Sequence, residues 1–514
     1  MSWVGRLRTR REDGLYRPPR RRSSYRVGAW LFGRLLAAVY LIAFLSIWAQ
    51  AEGLYGKRGI LPVAKYLEVV ESQLPGDERL LRVPSLFWLG AGDGALDLVC
   101  AAGVVLSLVA LAGWLAPAAF AGLWLLYLSL VAVGQEFLSF QWDVLLLEAG
   151  LLAVFLAASG RWRRGAPPPP PSRVALWLLW WLFFRLMFGS GLVKLTSGDP
   201  TWTDLTALFH HYQTQPLPNP FSWWAHHLPP LFHRLSTAAM FAVELGAPLL
   251  ILLGWRGRRI AAAATVAFQL VIALTGNYTF FNLLTIVLCV PLLDDALWAG
   301  LGLRVTSEAQ APPARWSLLE WGAMPLAVLV LVVSSLHLWA AFHPRAVWPE
   351  PARSLVRTVA PFRSINSYGL FRVMTTRRPE IEVEGRREGG EWKVYRFRYK
   401  PGPLERRPPV VAPHQPRLDW QLWFAALAGP RQSDWFFFFL ARLAQGSPEV
   451  LALLDGDPFE GKPPDTLRAR LWGYRFTTPE ERRETGDWWR REFLGVYLPA
   501  TPADRLARLF PVAP

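Results

Sequence analysis

Cysteine is nearly missing: Cys100 and Cys289 are the only two in 514 residues, and both sit inside apolar runs. They cannot supply a disulfide framework or a thiolate metal motif. Acidic residues are scarce too, 39 against 55 lysines and arginines. No Gly-x-Ser-x-Gly elbow, phosphate-binding loop or dinucleotide fingerprint occurs. Five of the eight histidines fall between residues 196 and 235, as the doublets His210-His211 and His226-His227 plus His233. The doublets lack the i,i+4 spacing of a helix-borne metal site and have no adjoining carboxylate. Packing against Trp223 and Trp224 is their expected role. Neither a metal nor a cofactor is expected. No cleavable signal peptide is evident, because the first apolar run is too long for one and lacks a clear cleavage site.

Apolar residues make up 52% of the chain. They come in blocks of about 17–25, the length that crosses ~30 Å of hydrocarbon. The expected fold is a polytopic α-helical membrane bundle of about nine spans, followed by a small α+β extramembrane domain. The spans read as 28–49, 93–113, 116–134, 142–159, 174–195, 236–254, 258–275, 278–298 and 318–342. The 27 tryptophans suit two interfacial belts. The bias toward Arg, Ala, Gly and Pro is that of a high-GC bacterial genome.

Net charge is +16, and nine arginines between Arg6 and Arg26 precede the first span. Residues 1–27 therefore read as a basic cytoplasmic tail, a topology signal rather than a nucleic-acid arm. Alternate crossing then places Arg161, Arg163, Arg164, Arg173, Arg256, Arg258 and Arg259 on the cytoplasmic side as well. Pro167–Pro171 becomes a stiff spacer on that side. Loops 50–92 and 196–235 and the domain 345–514 fall outside, facing the periplasm or its lumenal equivalent. An odd number of spans is required for the last.

Within loop 50–92, Val63, Tyr66, Leu67 and Val70 recur at helical spacing and predict an amphipathic helix on the membrane surface. In the last domain, Glu380–Glu384 and Glu391–Tyr399 alternate around Gly385 and Gly390, a hairpin pattern. Leu418–Ala428 and Asp434–Ala444 read as helices, the second with Asp434 as N-cap. Arg468–Phe476 alternates again. No internal repeat is evident.

The chain is organised around Phe184–Leu195, the end of the fifth span, which carries Arg185, Gly189, Gly191 and Lys194. Counted at ~1.5 Å per residue, Arg185, Glu148 and Glu244 each lie roughly 9–14 Å below the outer surface. Gln269 and Asn282 fall in the same outer half. Charges in a bilayer are cheaper together than apart, so these residues are expected to converge. The result is either a buried polar site opening outward or an ion-pair network that fixes helix register. Lys194, at the outer end of its helix, is placed to snorkel to the interface. The alternative is a general base, which requires desolvation.

Several stretches resemble the lipase maturation factor family. They are Gly53–Gly56 with Gly59–Pro62, Phe140–Glu148, Phe184–Leu195, Trp202 with Thr206–Leu208, His211–Pro220, Gly276–Asn282 and Phe362–Thr375. The resemblance covers most of the chain. It implies a membrane chaperone that helps dimeric lipases fold and assemble, with its C-terminal domain facing the lumen and engaging the client. On that basis Phe362, Arg363, Asn366, Tyr368, Phe371 and Arg372 are candidate client-contact residues. His210, His211, Trp202 and Tyr212 are outer-loop candidates. Asn277-Tyr278-Thr279 is a glycosylation sequon in form. The central helix alone is also similar to DoxX-like proteins and to the membrane domain of vitamin K-dependent carboxylases. That similarity implies a catalytic base at Lys194, although the chain departs from the pattern over 196–201. Two functions are thus expected in order. The first is a non-enzymatic assembly factor for exported proteins such as lipases, with the bilayer as its other partner and no nucleic acid. The second is an integral-membrane enzyme acting on a lipid or quinone.

Overall fold

The computed structural model describes residues 24–156, 168, 170–303, 318–343 and 345–509. The arginines before residue 24, those at 161, 163 and 164, and Pro167 and Pro169 of the proline run lie outside the described residues.

Helix α1 (Arg26–Trp48) sits in the middle of the bundle and is buried along most of its length. Its Tyr40 is fully enclosed, so the hydroxyl needs a partner and donates to the carbonyl of Leu146 at 3.0 Å. The predicted amphipathic helix is α2 (Val63–Gln73), which buries Val63, Leu67 and Val70. Around α1 stand α3 (Asp93–Ala112), α4 (Ala116–Val133), α5 (Gln141–Leu156) and α6 (Arg173–Leu195). Two short helices, α7 (Leu208–Thr214) and α8 (Pro220–His226), build the histidine-bearing loop. Then come α9 (Pro230–Phe241), α10 (Gly254–Thr275), α11 (Phe281–Cys289) and α12 (Leu318–Phe342).

Six of these stretches are long and apolar enough to cross a membrane, against nine expected. Helix α5 has only 16 residues and α11 only nine. The two spans expected over 236–275 belong to one 46-residue helical run, Pro230–Thr275. That run breaks at Gly254, where φ is 77°, a conformation that favours glycine. Its two halves, α9 and α10, wall the same cavity.

The C-terminal region carries a small antiparallel sheet in the order β2-β1-β3-β4. The strands are β1 (Arg378–Arg386), β2 (Lys393–Tyr395), β3 (Thr466–Phe476) and β4 (Trp489–Pro502). The predicted hairpin is β1–β2, with Val383 opposite Tyr395. Helices α13 (Arg417–Ala428) and α14 (Asp434–Ala444) form where apolar periodicity places them. Asp434 is the first helical residue rather than the cap: Ser433 holds that position, and no side chain caps the helix. Strand β4 carried no clean alternation to read. Register shifts interrupt its pairing with β3, and Phe493 and Leu494 are adjacent and both exposed.

This region does not stand clear of the bundle. Arg417, fully buried, makes a two-pronged ion pair with Asp143 of α5, at 2.8 and 3.0 Å. Tyr127 of α4 donates to the same carboxylate at 2.6 Å. Arg378 donates to the carbonyls of Gln213, Gln215 and Pro216, which closes the histidine loop onto β1. Asn277 accepts from the amides of Val411 and Ala412 and donates to the carbonyls of Leu217, Pro218 and Pro409. A buried charge or amide held from both sides ties bundle and sheet into one body.

Candidate functional site

Helix α6 carries the site. Its first ten residues are apolar apart from Arg173, and Ser172 caps it through the amide of Ala175. Arg185 lies on the face turned to α5 and pairs with Glu148, both almost fully buried. The pair is closed by the C-terminal segment. Arg185 Nη1 donates to the carbonyl of Asn366 at 3.0 Å, and the Tyr368 hydroxyl donates to Glu148 Oε2 at 2.6 Å. Gly189 makes this crossing possible. A Cβ there would meet the carbonyl oxygen of Tyr368 at 2.9 Å, inside any normal contact.

Glu244 does not join that pair. It meets Lys194, whose ammonium donates to both Glu244 oxygens at 2.8 and 2.7 Å and to the carbonyl of Ser190 at 3.1 Å. Lys194 therefore does not snorkel: its side chain is 5% exposed and its three protons are used. Two local features bring Glu244 within reach. Pro248 has no N–H for the carbonyl four residues back, and the helix widens into a five-residue turn of π type over Ala242–Gly246. Gly191 lets that turn approach α6, since a Cβ there would lie 3.1 Å from Cβ of Glu244.

The predicted convergence thus resolves into two separate ion pairs. Gln269 and Asn282 bond to each other, with Asn282 Nδ2 donating to Gln269 Oε1 at 2.7 Å. These two amides, with Lys194 and Glu244, border a cavity of about 630 Å³ between α6, α9, α10 and α11. Arg185 and Glu148 do not border it. Trp202, Tyr212, His211 and Phe371 close the end next to the histidine-bearing loop. Trp202 stands over the Lys194 ammonium, 5.5 Å from ring centroid to nitrogen. Asp199 holds its short helix by accepting from the amide of Thr201, and it also accepts from the amide of Met374 at 2.6 Å.

Of the histidines expected to pack on Trp223 and Trp224, His227 does so, while His211 and His226 meet other rings. His211 stacks parallel to Tyr278, whose hydroxyl meets its Nε2 at 2.8 Å. Burial first, and the Lys194 charge second, push His211 down to about 4, so it is neutral at pH 7. His227 lies 4.3 Å from the Trp223 ring. His210 is half-buried beside Asp199, and burial lowers its pKa. Among the described residues no three His, Cys, Asp or Glu side chains cluster as metal ligands.

The profile of the lipase maturation factor transmembrane domain matches residues 27–300, and that of the lipase maturation factor C-terminal domain matches residues 364–499. The chain belongs to the lipase maturation factor family. Lipase maturation factor 2 of Xenopus tropicalis is 36% identical over 575 residues, covering 90% of this chain and 81% of the relative. Lipase maturation factor 2 of Gallus gallus is 38% identical over 593 residues, covering 94% and 81%. Lipase maturation factor 1 of Bos taurus is 35% identical over 499 residues, covering 91% and 87%. No solved structure matches.

In this family member the first residues of the matched C-terminal domain cross the site. Of the candidate client-contact residues, Tyr368 is buried against Glu148, and Asn366 bonds to the same carboxylate. Phe371 turns inward onto His211 and Tyr278. Only Phe362, Arg363 and Arg372 are exposed. Sequence reading passed over Asp143, Arg417 and Arg378. A lone acidic residue at the end of the fourth span was the available signal for Asp143. Its partner lies 274 residues away, and nothing local points to it.

Proposed function

We propose that this chain is a membrane-embedded maturation factor for exported lipases, acting by holding a partly folded client rather than by chemistry of its own. The observation that carries this reading is that both family domains occur in one chain and are locked together through the buried Arg417–Asp143 ion pair and the bonds of Tyr368 and Asn366 to Glu148 and Arg185. Lys194 is engaged on all three protons by Glu244 and Ser190, which favours a structural lysine over a base.

The client surface we assign is the open edge of β4. Among the described residues no strand pairs with that edge. Phe493, Leu494 and Val496 there are 55, 48 and 63% exposed. An unpaired edge with apolar side chains offers backbone hydrogen bonds and grip to an unfinished strand of another protein.

The nine-pass topology, with the N-terminus cytoplasmic and the sheet outside, is part of the same reading. It is supported by the bonds of Arg258 to Tyr25 and of Arg259 to Asp294, which gather basic residues at the end of the bundle where the first helix begins.

The test uses full-length chain in lipase-secreting cells that lack their own maturation factor. The parent should restore active lipase and co-purify with newly made enzyme. Phe493→Glu with Val496→Glu should keep protein level and thermal stability but lose both. Retained capture would refute the surface, and no rescue by the parent would refute the function.

A further inference from the structure

The cavity beside Lys194 opens sideways. Its mouth lies between α9 and α10, where the lining residues Phe232 and Val271 are 46 and 57% exposed. Leu231, Leu235, Leu270 and Leu274 surround that mouth and are more than half exposed. On a helical run long and apolar enough to cross a bilayer, such a rim faces hydrocarbon, not water. Small side chains leave the seam unfilled: Ala239 on α9 and Ala267 on α10 both line the opening and are exposed. A volume of about 630 Å³ lies within the roughly 300–1,000 Å³ of small-ligand sites.

The deep end is polar but carries no net charge. Lys194 and Glu244 neutralise each other, and Gln269 and Asn282 are amides. A charged headgroup would therefore enter as an uncompensated ion, which is strongly unfavourable away from water. One donor is spare. The Trp202 indole N–H is buried and has no hydrogen-bond partner, although Trp202 is only 2% exposed. A buried unpaired donor asks for an acceptor.

We propose that this cavity binds a neutral acyl-ester lipid that enters from the bilayer between α9 and α10. Its ester carbonyl accepts from the Trp202 indole, and its chain fills the apolar part between Phe232 and Phe268. The site takes uncharged glycerides in preference to anionic phospholipids because its only cation is already paired. The inference does not depend on the chain's action on lipases.

The test is photolabelling of full-length protein in phosphatidylcholine vesicles containing a monoacylglycerol with a diazirine in its acyl chain. Label should concentrate on α9 and α10. Unlabelled monoacylglycerol should compete, and phosphatidylglycerol should not. Ala267→Trp fills the mouth and should abolish that label. Ala239→Trp does the same from the facing helix and guards against a folding defect in the first variant. Ala263→Trp, at an exposed position that does not line the cavity, should leave labelling unchanged. Trp202→Phe keeps the ring, removes the donor and should weaken competition roughly three- to tenfold, the worth of one hydrogen bond. Even labelling of all lipid-facing helices, persistence in both tryptophan-filled variants, equal competition by phosphatidylglycerol, or an unchanged Trp202→Phe would each overturn the proposal.

Discussion

At the scale of single residues, the chemistry of this protein is mostly the chemistry of satisfied charges. Lys194 and Glu244 are the sharpest case. Removing one partner of a buried pair strands the other, at about 3–5 kcal/mol. Lys194→Met and Glu244→Leu should therefore each lower the unfolding temperature in detergent markedly. The double substitution Lys194→Met with Glu244→Leu should recover most of the loss. A double-mutant cycle with no coupling would refute the pairing. Loss of function in Lys194→Ala alone does not argue for catalysis, because the same substitution leaves Glu244 charged and buried. Asn277 makes a similar point. It has the form of a sequon, yet it is 2% exposed and both ends of its amide are bonded. Its carboxamide is a structural pin between the histidine loop and Pro409–Ala412, out of reach of a sugar in the folded protein.

At the scale of elements, periodicity was a good guide wherever an element has one wet face or one greasy run. Helices α1, α3, α4, α6 and α12 fall within a few residues of the apolar blocks that announced them. The hairpin β1–β2 and strand β3 were visible in alternation. Strand β4 was not, because an edge strand that exposes Phe493 and Leu494 side by side has no inside-outside rhythm. The two ends of the bundle make a topological prediction. Glu388 lies in the exposed turn between β1 and β2, and both native cysteines are buried. A Glu388→Cys protein should react with a membrane-impermeant maleimide in intact cells, against a silent native background. Reaction only after the membrane is opened would place the sheet on the inner side.

At the scale of the whole molecule, the bundle and the sheet depend on each other. Cutting the chain before the sheet would strip Glu148 of Tyr368 and Asp143 of Arg417. A truncated protein therefore reports on the bundle's stability as much as on client capture. The interlock also has a pH signature. Burial, with help from neighbouring charges, holds His211, His226 and His414 at about 4, below the ordinary 6.5. All three lie in the histidine-bearing loop or the C-terminal region, where these parts meet. The unfolded chain takes up protons at these sites before the folded one does. Stability is therefore complete above about pH 6.5 and falls as the pH drops toward 4. The melting temperature in detergent should decline over that interval, and His414→Gln should flatten part of the slope. A melting temperature unchanged between pH 7 and 4.5 would refute this.

The sequence by itself determined what local chemistry determines. Apolar block length made the chain a membrane protein, and the glycine- and arginine-bearing helix marked where its polar residues gather. Alternating strands announced a small sheet. The recognisable stretches pointed to the family. Tertiary structure decided the pairings. Arg185 chose Glu148 and Lys194 chose Glu244 because Gly191 and the turn ahead of Pro248 bring α6 and Glu244 together. Asp143 and Arg417 met across 274 residues of chain. No periodicity encodes such a meeting, since a buried charge selects its partner by proximity in space. For the same reason Tyr368 and Phe371, read as an outward face, turned inward. The charge and the rings already buried beneath them had unmet contacts, and the crossing segment was the element close enough to satisfy them.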